Sequence, residues 1–548
     1  MKRSLPVFAL VLCLAGCQAP EPQQAAESPP PALFESFGDL HRDIGSDVPA
    51  AQRYFDQGLG MAYGFNHEAA GRAFAEAARL DPDCAMCLWG QALVLGPNIN
   101  LPMSADAAAP AAKLAARALQ LADDARPVDR ALIEALAKRY ADPAPADRKP
   151  LDEAYAEAMG EVARRYPDDD DVATLYAEAL MDLSPWAYWS PDGKPAAHTG
   201  ALVAALERVL ARNPRHIGAI HYYIHAVEAS PEPQRAEAHA DTLAELAPGS
   251  GHLVHMPAHV YIRTGRYHDA TLTNFAATTA DAAFLAVCGG SNGVYPLGYV
   301  PHNWHFASMS ASLHGSRTLA LQAAEQTARR ADMQQLEALS FMQQYLVTPL
   351  FVQVRFGQWD DILAQAGPPA ELPYPRALWH FARGMAYVGG GEHAKAGAEL
   401  EALRKLATNP ALKKVEVGAV NRGNGVVAVA LPMLEGELAL ATGQRDSGIA
   451  RLRDAVGAED ALAYNEPADW PLPVRPYLGA ALLDAGRADE AARVYAQDLR
   501  NYPKNGWSLY GLAQAQRKQG KADLASRTEQ QYRDAWQWAD KPLTASRM

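Results

Sequence analysis

Cysteine is scarce in this chain, with five residues in a sequence of 548. Cys13 and Cys17 lie near the N-terminus, which leaves Cys84, Cys87 and Cys288 for the body of the protein. Three thiols are too few to build a disulfide-stabilised scaffold. The fold must therefore rest on a hydrophobic core, and a content of 49% apolar and 21% charged residues is ordinary for a folded protein.

Positive charge is also in short supply. Lysine and arginine together number 50 against 63 aspartates and glutamates, so the formal net charge is −13. An acidic surface repels the phosphate backbone, and the sequence contains no basic stripe to offset that repulsion. We therefore expect no nucleic-acid partner.

Long apolar runs are missing, and the one apolar run near the N-terminus is too short to span a bilayer. It follows the basic start Lys2-Arg3 and ends in Leu-Ala-Gly before Cys17. This pattern resembles the lipobox of bacterial lipoproteins, which implies that Cys17 becomes the first mature residue and carries the lipid. Gln18 follows where an aspartate would favour inner-membrane retention. The resemblance thus implies an outer-membrane lipoprotein that faces the periplasm and is held by its lipid alone.

Composition divides the chain further. Residues 1–16 are the expected signal peptide, and residues 17–35, rich in proline, glutamine and glutamate, are the expected lipidated linker. The remainder is expected to fold in three parts. These are N-terminal repeat units at 36–170, histidine-rich middle repeat units at 171–340 and C-terminal repeat units at 341–548, and the repeat itself has a period of about 34 residues.

The sequence lacks strand-like alternation but repeats itself at about 34 residues. Residues 51–84 place Gly58 and Ala70 where paired helices need small residues, and Pro82 where the unit ends. The same pattern returns at 377–410 and 472–503. It resembles the tetratricopeptide repeat, which implies an all-α solenoid wound as a right-handed superhelix. We expect roughly twelve helix pairs between residues 51 and 537, with irregular insertions near 183–196 and 285–300.

Several longer segments resemble a recurring group of bacterial exported tetratricopeptide lipoproteins. They are DPDCAMCLWG at 81–90, LGPNIN at 95–100, HMPAHVYIRTGRY at 255–267 and YNEPADWPLPVR at 464–475. Together the similarity covers most of the mature chain. That group has no established activity, so the resemblance supports the fold and supplies no reaction.

Recognisable catalytic motifs are missing as well. There is no GxSxG, P-loop, dinucleotide fingerprint or HExxH. The Cys84–Cys87 pair is not a haem-attachment motif because Leu88 follows it, and no second pair exists for a zinc ribbon. A local disulfide or two buried thiols is favoured over a redox enzyme. The sequence therefore favours a binding protein over an enzyme.

Histidine, by contrast, is concentrated. Even spreading of the 16 histidines would place about three in residues 216–305, yet ten lie there. In units that begin at 217, 251 and 301, seven of the nine slots at positions 2, 5 and 9 are histidines. They are His221, His225, His252, His255, His259, His302 and His305. These positions share one face of a first helix, and in tetratricopeptide proteins that face lines the concave groove.

Three interpretations of this histidine-rich helix face remain open. The first is a transition-metal site for zinc, copper or iron, in which two ions, or one ion with further imidazoles as outer partners, would be needed because seven imidazoles exceed one tetrahedral shell. Glu228, or else Glu178 or Asp182, would complete it, and nearby Met309 and Met256 make copper conceivable. The second is a groove that hydrogen-bonds an anionic or peptide ligand through imidazoles whose charge depends on pH, so that the partner would be a protein, a peptide or a small molecule. The third is a polar network that packs helix on helix without a metal.

Two further possibilities belong to the groove. Glu466, in the segment before the last two units, is a candidate groove residue. If the protein were an enzyme, it would use metal-activated water, with Glu228 or Glu178 as the general base.

Overall fold

The computed structural model describes residues 30–34, 36–288, 293–336, 338–418 and 420–548. The expected signal peptide, the lipidation site at Cys17 and most of the linker lie outside the described residues. Lipidation therefore stays a prediction from the sequence.

The described chain is an array of twelve successive helix pairs, as the repeat predicts, and helices of a pair pack on each other. The first six pairs are α1 (Pro49–Tyr63) with α2 (His67–Leu80), α3 (Ala85–Leu93) with α4 (Ala108–Gln120), α5 (Pro127–Ala137) with α6 (Lys149–Arg165), α7 (Asp170–Met181) with α8 (Thr199–Arg212), α9 (Ile217–Val227) with α10 (Glu237–Leu246), and α11 (Gly251–His255) plus α12 (Pro257–Thr264) with α13 (Tyr267–Cys288). The last six are α14 (Val300–Leu313) with α15 (Arg317–Ala328), α16 (Gln343–Arg355) with α17 (Trp359–Ala364), α18 (Pro373–Gly389) with α19 (His393–Ala407), α20 (Gly423–Ala441) with α21 (Arg445–Asp460), α22 (Arg475–Asp484) with α23 (Ala488–Asn501), and α24 (Gly506–Lys518) with α25 (Ala522–Ala535). The all-α solenoid is confirmed.

Other regular structure is short. Single turns of 3₁₀-helix lie at Ala105–Ala107, Ala122–Asp124, Pro233–Ala236, Ser340–Met342 and Pro410–Lys413, and a π-helical turn lies at Tyr295–Tyr299. Two-residue strands β1 (Glu416–Val417) and β2 (Asn421–Arg422) pair antiparallel between α19 and α20. The 182–198 loop separates α7 from α8, at the first predicted insertion.

Small residues hold paired helices close together, as the repeat pattern requires. A Cβ added to Gly58 would come within 2.7 Å of the ring of Phe74 on the partner helix. Gly265 ends α12 with a φ of 78°, a left-handed conformation that glycine adopts without strain. The helix-pair frame of the sequence therefore has a steric basis at both the crossing and the turn.

The two ends of the array pack against its middle. Near the N-terminus, α1 packs on α9, and the ring of Tyr63 lies 6.0 Å from that of Tyr222. Near the C-terminus, the indole N–H of Trp507 donates to the carbonyl of Ser312 at 3.3 Å. The backbone N–H of Thr318 donates to the carboxylate of Asp540 at 2.8 Å. The array curls back on pairs five to seven, which places those pairs at the centre of the molecule.

Cys84 and Cys87 form a disulfide at the start of α3. Of the two structural alternatives for this pair, the structure contains the local disulfide. The side chain of Cys84 also accepts the backbone N–H of Cys87 at 3.1 Å, so it caps the helix that it starts.

Among the described helices, α20 is long and apolar enough by composition to cross a membrane. Within the fold, 44% of its most apolar stretch is buried, and it packs against α18, α19 and α21. A core helix meets the same criterion, so α20 is only weak support for a membrane span.

Candidate metal centre

Six histidines meet at the centre of the molecule. They stand on the first helices of three consecutive pairs, namely α9, the broken helix α11–α12, and α14. We call them the histidine cluster, and its members are His221, His225, His252, His255, His259 and His302. All are buried except His302, which is partly exposed.

The cluster consists of two groups of three imidazoles. In the first triad, His221, His225 and His252, the candidate ligand atoms all lie within 4.8 Å of one another. The Nε2 atoms of His221 and His252 are 3.2 Å apart. Because first-row metals bind imidazole at 2.0–2.1 Å, two nitrogens of a tetrahedral shell lie about 3.3 Å apart. The observed spacing is close to that of ligands on one ion.

The second triad, His255, His259 and His302, is tighter. The Nε2 of His255 lies 2.8 Å from that of His259 and 3.1 Å from that of His302. The two triads adjoin, since the ring centroids of His225 and His259 are 5.3 Å apart and those of His252 and His255 are 5.7 Å apart. Two ions held by the triads would be close neighbours.

Glu228 joins the two triads. One carboxylate oxygen accepts from Nδ1 of His225 at 2.7 Å, and the other accepts from Nδ1 of His259 at 2.5 Å. Burial alone would raise the pKa of Glu228, but the two imidazoles reverse that effect and lower it to about 2. The carboxylate is therefore ionised and holds one ring from each triad by its Nδ1, which leaves Nε2 available as a metal ligand.

The hydrogen bonds of the Nδ1 atoms fix the tautomers. His221 faces the carbonyl oxygen of Tyr63 at 2.5 Å, and a carbonyl can only accept. His255 faces Oδ1 of Asn274 at 2.7 Å, and that amide cannot flip because its Nδ2 donates to the carbonyl of Ala270. His225 and His259 donate to the Glu228 carboxylate. In the neutral form of these four rings the bonds place the proton on Nδ1, so that Nε2 carries a lone pair.

Two such lone pairs face each other in the second triad. The Nε2 atoms of His255 and His259 are 2.8 Å apart, and in these neutral tautomers neither ring has a proton to place between them. A cation between these nitrogens, either a proton or a metal ion, would relieve the repulsion of the two lone pairs. A proton is shared by two acceptors, whereas His302 supplies a third nitrogen to the same point. Three converging donors favour a metal ion.

Burial disfavours the protonated form of five of the six rings in the cluster. Burial, reinforced by the neighbouring imidazoles, lowers the pKa of four rings well below its ordinary value, namely those of His221, His252, His255 and His302. Neutral imidazole is the form that binds metals, so protons do not compete strongly for these nitrogens. Among the described residues, Nε2 of His225 and Nδ1 of His252 are buried without a hydrogen-bond partner. Buried nitrogens without a hydrogen-bond partner require an explanation. A bound ion would explain Nε2 of His225, which would then be a ligand.

Aromatic rings enclose the cluster. Phe65 lies 4.5 Å from His221, and Phe306 lies 4.9 Å from His259, both measured between ring centroids. Tyr299 contacts His252 at 4.7 Å, and Trp186 contacts His225 at 5.3 Å. These rings come from helix pairs one and seven and from the 182–198 loop. They exclude water from the imidazoles and hold them in place.

A loop from the C-terminal half reaches the cluster from another side. The hydroxyl of Tyr464 donates to Glu466 at 2.8 Å and lies 3.4 Å from a carboxylate oxygen of Glu228. Arg263 donates its Nε to the backbone carbonyl of Glu228 at 3.0 Å, and its guanidinium lies 5.4 Å over the Tyr464 ring. Burial raises the pKa of Glu466 to about 7. Glu466 thus lies beside the cluster, one tyrosine away from its carboxylate.

In one respect the structure differs from the open concave groove that the repeat pattern predicts. The histidine face of pairs five to seven does point inward, but it is covered, with His221 and His255 each 0% exposed. The end of α1 and the Tyr464 loop cover what would be an open concave surface in an uncurled array. The face is internal because the array closes on itself, and a repeat pattern encodes pairing of neighbours without encoding such closure.

Four other candidates stand outside the triads. His305 is buried beside Tyr345, with ring centroids 6.1 Å apart, and Met309 lies in the hydrophobic core. Glu178 and Asp182 both form ion pairs with the buried Arg139, Glu178 at 3.4 Å. Their carboxylates are thus committed to an arginine, and Glu228 is the acidic residue that holds the imidazoles.

Sequence reasoning missed Asn274 and Tyr464. Asn274 belongs to a buried polar stripe on α13, whose members are Thr271, Asn274, Thr278 and Asp281. Their spacing of three, four and three residues was a readable signal that a polar surface faces this side of the helix. Tyr464 gave no comparable signal, since its position depends on closure of the array.

Comparison with known proteins gives similarity in helical architecture and little more. No protein-family model and no curated protein matches the sequence. Solved tetratricopeptide-type solenoids are similar to it over most of its length. The human IFIT1 dimer with m7Gppp-AAAA has 11% identity and a TM-score of 0.34, with 90% of this chain and 91% of that chain covered. The APC/C hetero-tetramer Cut9–Hcn1 has 13% identity and a TM-score of 0.30, with 92% and 76% covered. Yeast Tom70 has 12% identity and a TM-score of 0.27, with 88% and 92% covered. Likeness of this size carries no inference about what this chain binds.

Proposed function

We propose that this protein binds two transition-metal ions, one in each triad of the histidine cluster. The observation that carries the proposal is the approach of the Nε2 atoms of His255 and His259 to 2.8 Å, with Nε2 of His302 3.1 Å from that of His255 as the third donor. Six imidazoles, four of them held by a hydrogen bond at Nδ1, have the chemistry of zinc, copper or iron ligands. Hydrogen-bonded outer partners such as Glu228 and Asn274 are what metal-ligating histidines ordinarily have.

We further propose that the metal-binding solenoid is an outer-membrane lipoprotein facing the periplasm. The support is the lipobox-like sequence that ends at Cys17. In that location the lipid would tether the protein, and the linker would hold its folded body away from the membrane.

A second candidate function is the binding of a ligand between the middle and C-terminal pairs. A cleft of about 610 Å³ lies there, lined by His268, His314 and Lys504 among others. The ring of His268 stacks on Trp538 with centroids 4.1 Å apart. Its size suits a small molecule or a peptide side chain.

Elemental analysis tests the metal proposal. Protein purified without a chelating affinity tag should contain two equivalents of transition metal per chain. The variant His255→Ala should lose metal from the second triad, whereas His198→Ala, which changes an exposed histidine at the start of α8, should retain both ions. Wild-type protein that holds no stoichiometric metal, before or after incubation with zinc, copper or iron salts, would refute the proposal.

A further inference from the structure

We infer that the first triad is completed by the end of α1, and that Asp171 is the positioning residue that holds this end in place. The inference rests on the proposed function and goes beyond it, because it makes one of the two ions depend on a contact between distant parts of the chain. The hydrogen bonds and ring contacts of Tyr63 and Phe65 carry it.

The end of α1 contacts every ring of the first triad. The carbonyl oxygen of Tyr63 accepts from Nδ1 of His221 at 2.5 Å. The ring of Phe65 lies against all three imidazoles, at centroid distances of 4.5, 6.0 and 5.8 Å from His221, His225 and His252. A partner that binds one nitrogen of an imidazole fixes the direction of the other. The end of α1 therefore sets how this triad presents its ligand atoms.

The second triad is supported by other elements. Nδ1 of His255 faces Asn274 on α13, and Nδ1 of His259 donates to Glu228. The ring of Phe306 on α14 lies 5.0 Å from that of His255 and 4.9 Å from that of His259, between centroids. No hydrogen bond or ring contact of the described residues joins these imidazoles to the end of α1. The two triads are thus assembled by different parts of the chain.

The end of α1 has a backbone conformation that its neighbours must impose. Phe65 has a φ of 56°, in the left-handed region that bulky residues rarely adopt. Such a conformation persists only where the surrounding structure determines it. Part of the constraint comes from α9, where a Cβ added to Gly218 would come within 2.6 Å of the Tyr63 ring. The glycine lets that ring lie directly against the helix that carries His221.

Asp171 on α7 supplies a further constraint. The Tyr63 hydroxyl donates to one oxygen of its carboxylate at 2.6 Å, and His216 at the start of α9 lies 3.2 Å from the same oxygen. The other oxygen accepts from the buried guanidinium of Arg42 at 3.3 Å. Among the described residues, Asp171 bonds to no imidazole of the triad. It acts on the first triad through Tyr63, whose ring it ties to α7, to α9 and to the N-terminal segment.

The experiment measures each triad separately in the full chain. His302→Ala removes a ligand of the second triad, and His252→Ala removes a ligand of the first, so each variant keeps one complete triad. Tyr63→Phe is then added to both, and Zn(II) affinity of the metal-free proteins is measured by competition with a chromophoric chelator. With His302→Ala we expect Tyr63→Phe to weaken Zn(II) binding about 10-fold, the lower end for loss of outer support, because the carbonyl remains but is held less firmly. With His252→Ala the affinity should not change.

Two further variants separate positioning from a general loss of packing. Asp171→Asn weakens the charge-assisted bond to the Tyr63 hydroxyl, and it should lower Zn(II) affinity in the His302→Ala protein alone. Tyr223→Phe is the matched control, because it removes the bond of another tyrosine hydroxyl to a carboxylate, that of Glu207 at 2.7 Å, from α9 itself. The control should change neither affinity. Circular dichroism of every metal-free variant should match that of the wild type.

Equal weakening in both single-triad proteins would show that Tyr63 supports the fold in general and would overturn the inference. An unchanged affinity in both would overturn it as well. In either case Zn(II) still binds to each triad, and the two-ion function survives. If neither single-triad protein nor the wild type binds Zn(II), the inference and the zinc form of the proposed function fail together.

Discussion

Glu228 is the residue through which the histidine cluster can be tested most sharply. Its two oxygens each accept one Nδ1–H, from His225 at 2.7 Å and from His259 at 2.5 Å. The change Glu228→Gln keeps the shape of the side chain but leaves one acceptor oxygen and introduces an NH₂ donor. One of the two imidazoles must then lose its acceptor and meet a donor instead.

The expected effect on metal binding is large and asymmetric. Loss of an outer hydrogen-bond partner of a metal-ligating histidine lowers affinity by about 10- to 100-fold. This corresponds to about 1.4–2.7 kcal/mol of binding free energy. Because the amide oxygen can serve only one ring, one triad should weaken more than the other. A wild-type titration with two similar affinities should therefore become one with two resolved steps.

The assay is competition with a chelator of known affinity, with denaturant unfolding as a check on the fold. Glu399→Gln is a matched control because Glu399 also accepts from a histidine Nδ1, that of His380 at 2.6 Å, on the distant pair of α18 and α19. The control should leave both metal affinities unchanged. If Glu228→Gln binds both ions as tightly as wild type, Glu228 does not orient the ligands, and the assignment of the Nδ1 protons is wrong.

Other regions of the molecule give further expectations. The variant Cys17→Ser should move the protein from the membrane fraction to the soluble periplasmic fraction, and unchanged membrane association would contradict lipidation. Gly58→Ala should lower the free energy of unfolding by about 1–3 kcal/mol in denaturant titrations, because its Cβ would press on Phe74. Gly457→Ala, where a Cβ enters open space on α21, should be neutral or stabilising by up to about 1 kcal/mol. Burial, opposed by hydrogen bonds from Tyr295 and Asn303, raises the pKa of Asp281 to about 6. A raised carboxyl pKa means that the folded state binds the proton more tightly, so this contribution to stability is complete below about pH 4 and lost as pH rises through about 6. Unfolding midpoints measured from pH 4 to 7 should show that slope, and Asp281→Asn should flatten it.

Much of the architecture could be predicted from the sequence because the repeat reflects contacts between residues that are close in sequence. Gly58 and Phe74 lie 16 residues apart, and their contact defines a helix pair without reference to the rest of the chain. The same frame placed His255 and His259 on one face of a first helix, next to His221 and His225 of the preceding unit. Neighbouring units stack, so the convergence of histidines on three adjacent first helices followed from the spacing alone.

The features that could not be predicted from the sequence depend on contacts between residues far apart in the chain. Tyr63 supplies a carbonyl to His221 across 158 residues, and Tyr464 approaches Glu228 across 236 residues. Neither partner is set by a repeat position, because each depends on how tightly the whole array curls. The same curl buries His255, which the repeat alone would leave facing an open groove. The ion pairs that Glu178 and Asp182 form with Arg139 could not be predicted either, since Arg139 belongs to another helix pair.

The arrangement also bears on why the array closes. Burying six imidazoles whose Nε2 atoms lie close together is unfavourable in the metal-free chain, since polar atoms left without partners in the interior each cost about 1–3 kcal/mol. A bound ion would remove that cost and would at the same time tie α9, α11, α12 and α14 to one point. Pairs five to seven also receive the end of α1 and the Tyr464 loop. Metal held there would therefore stabilise contacts between parts of the chain that the nearest-neighbour stacking of a solenoid leaves independent. On this argument the histidine cluster is both the proposed functional site and the place where the two halves of the array are joined.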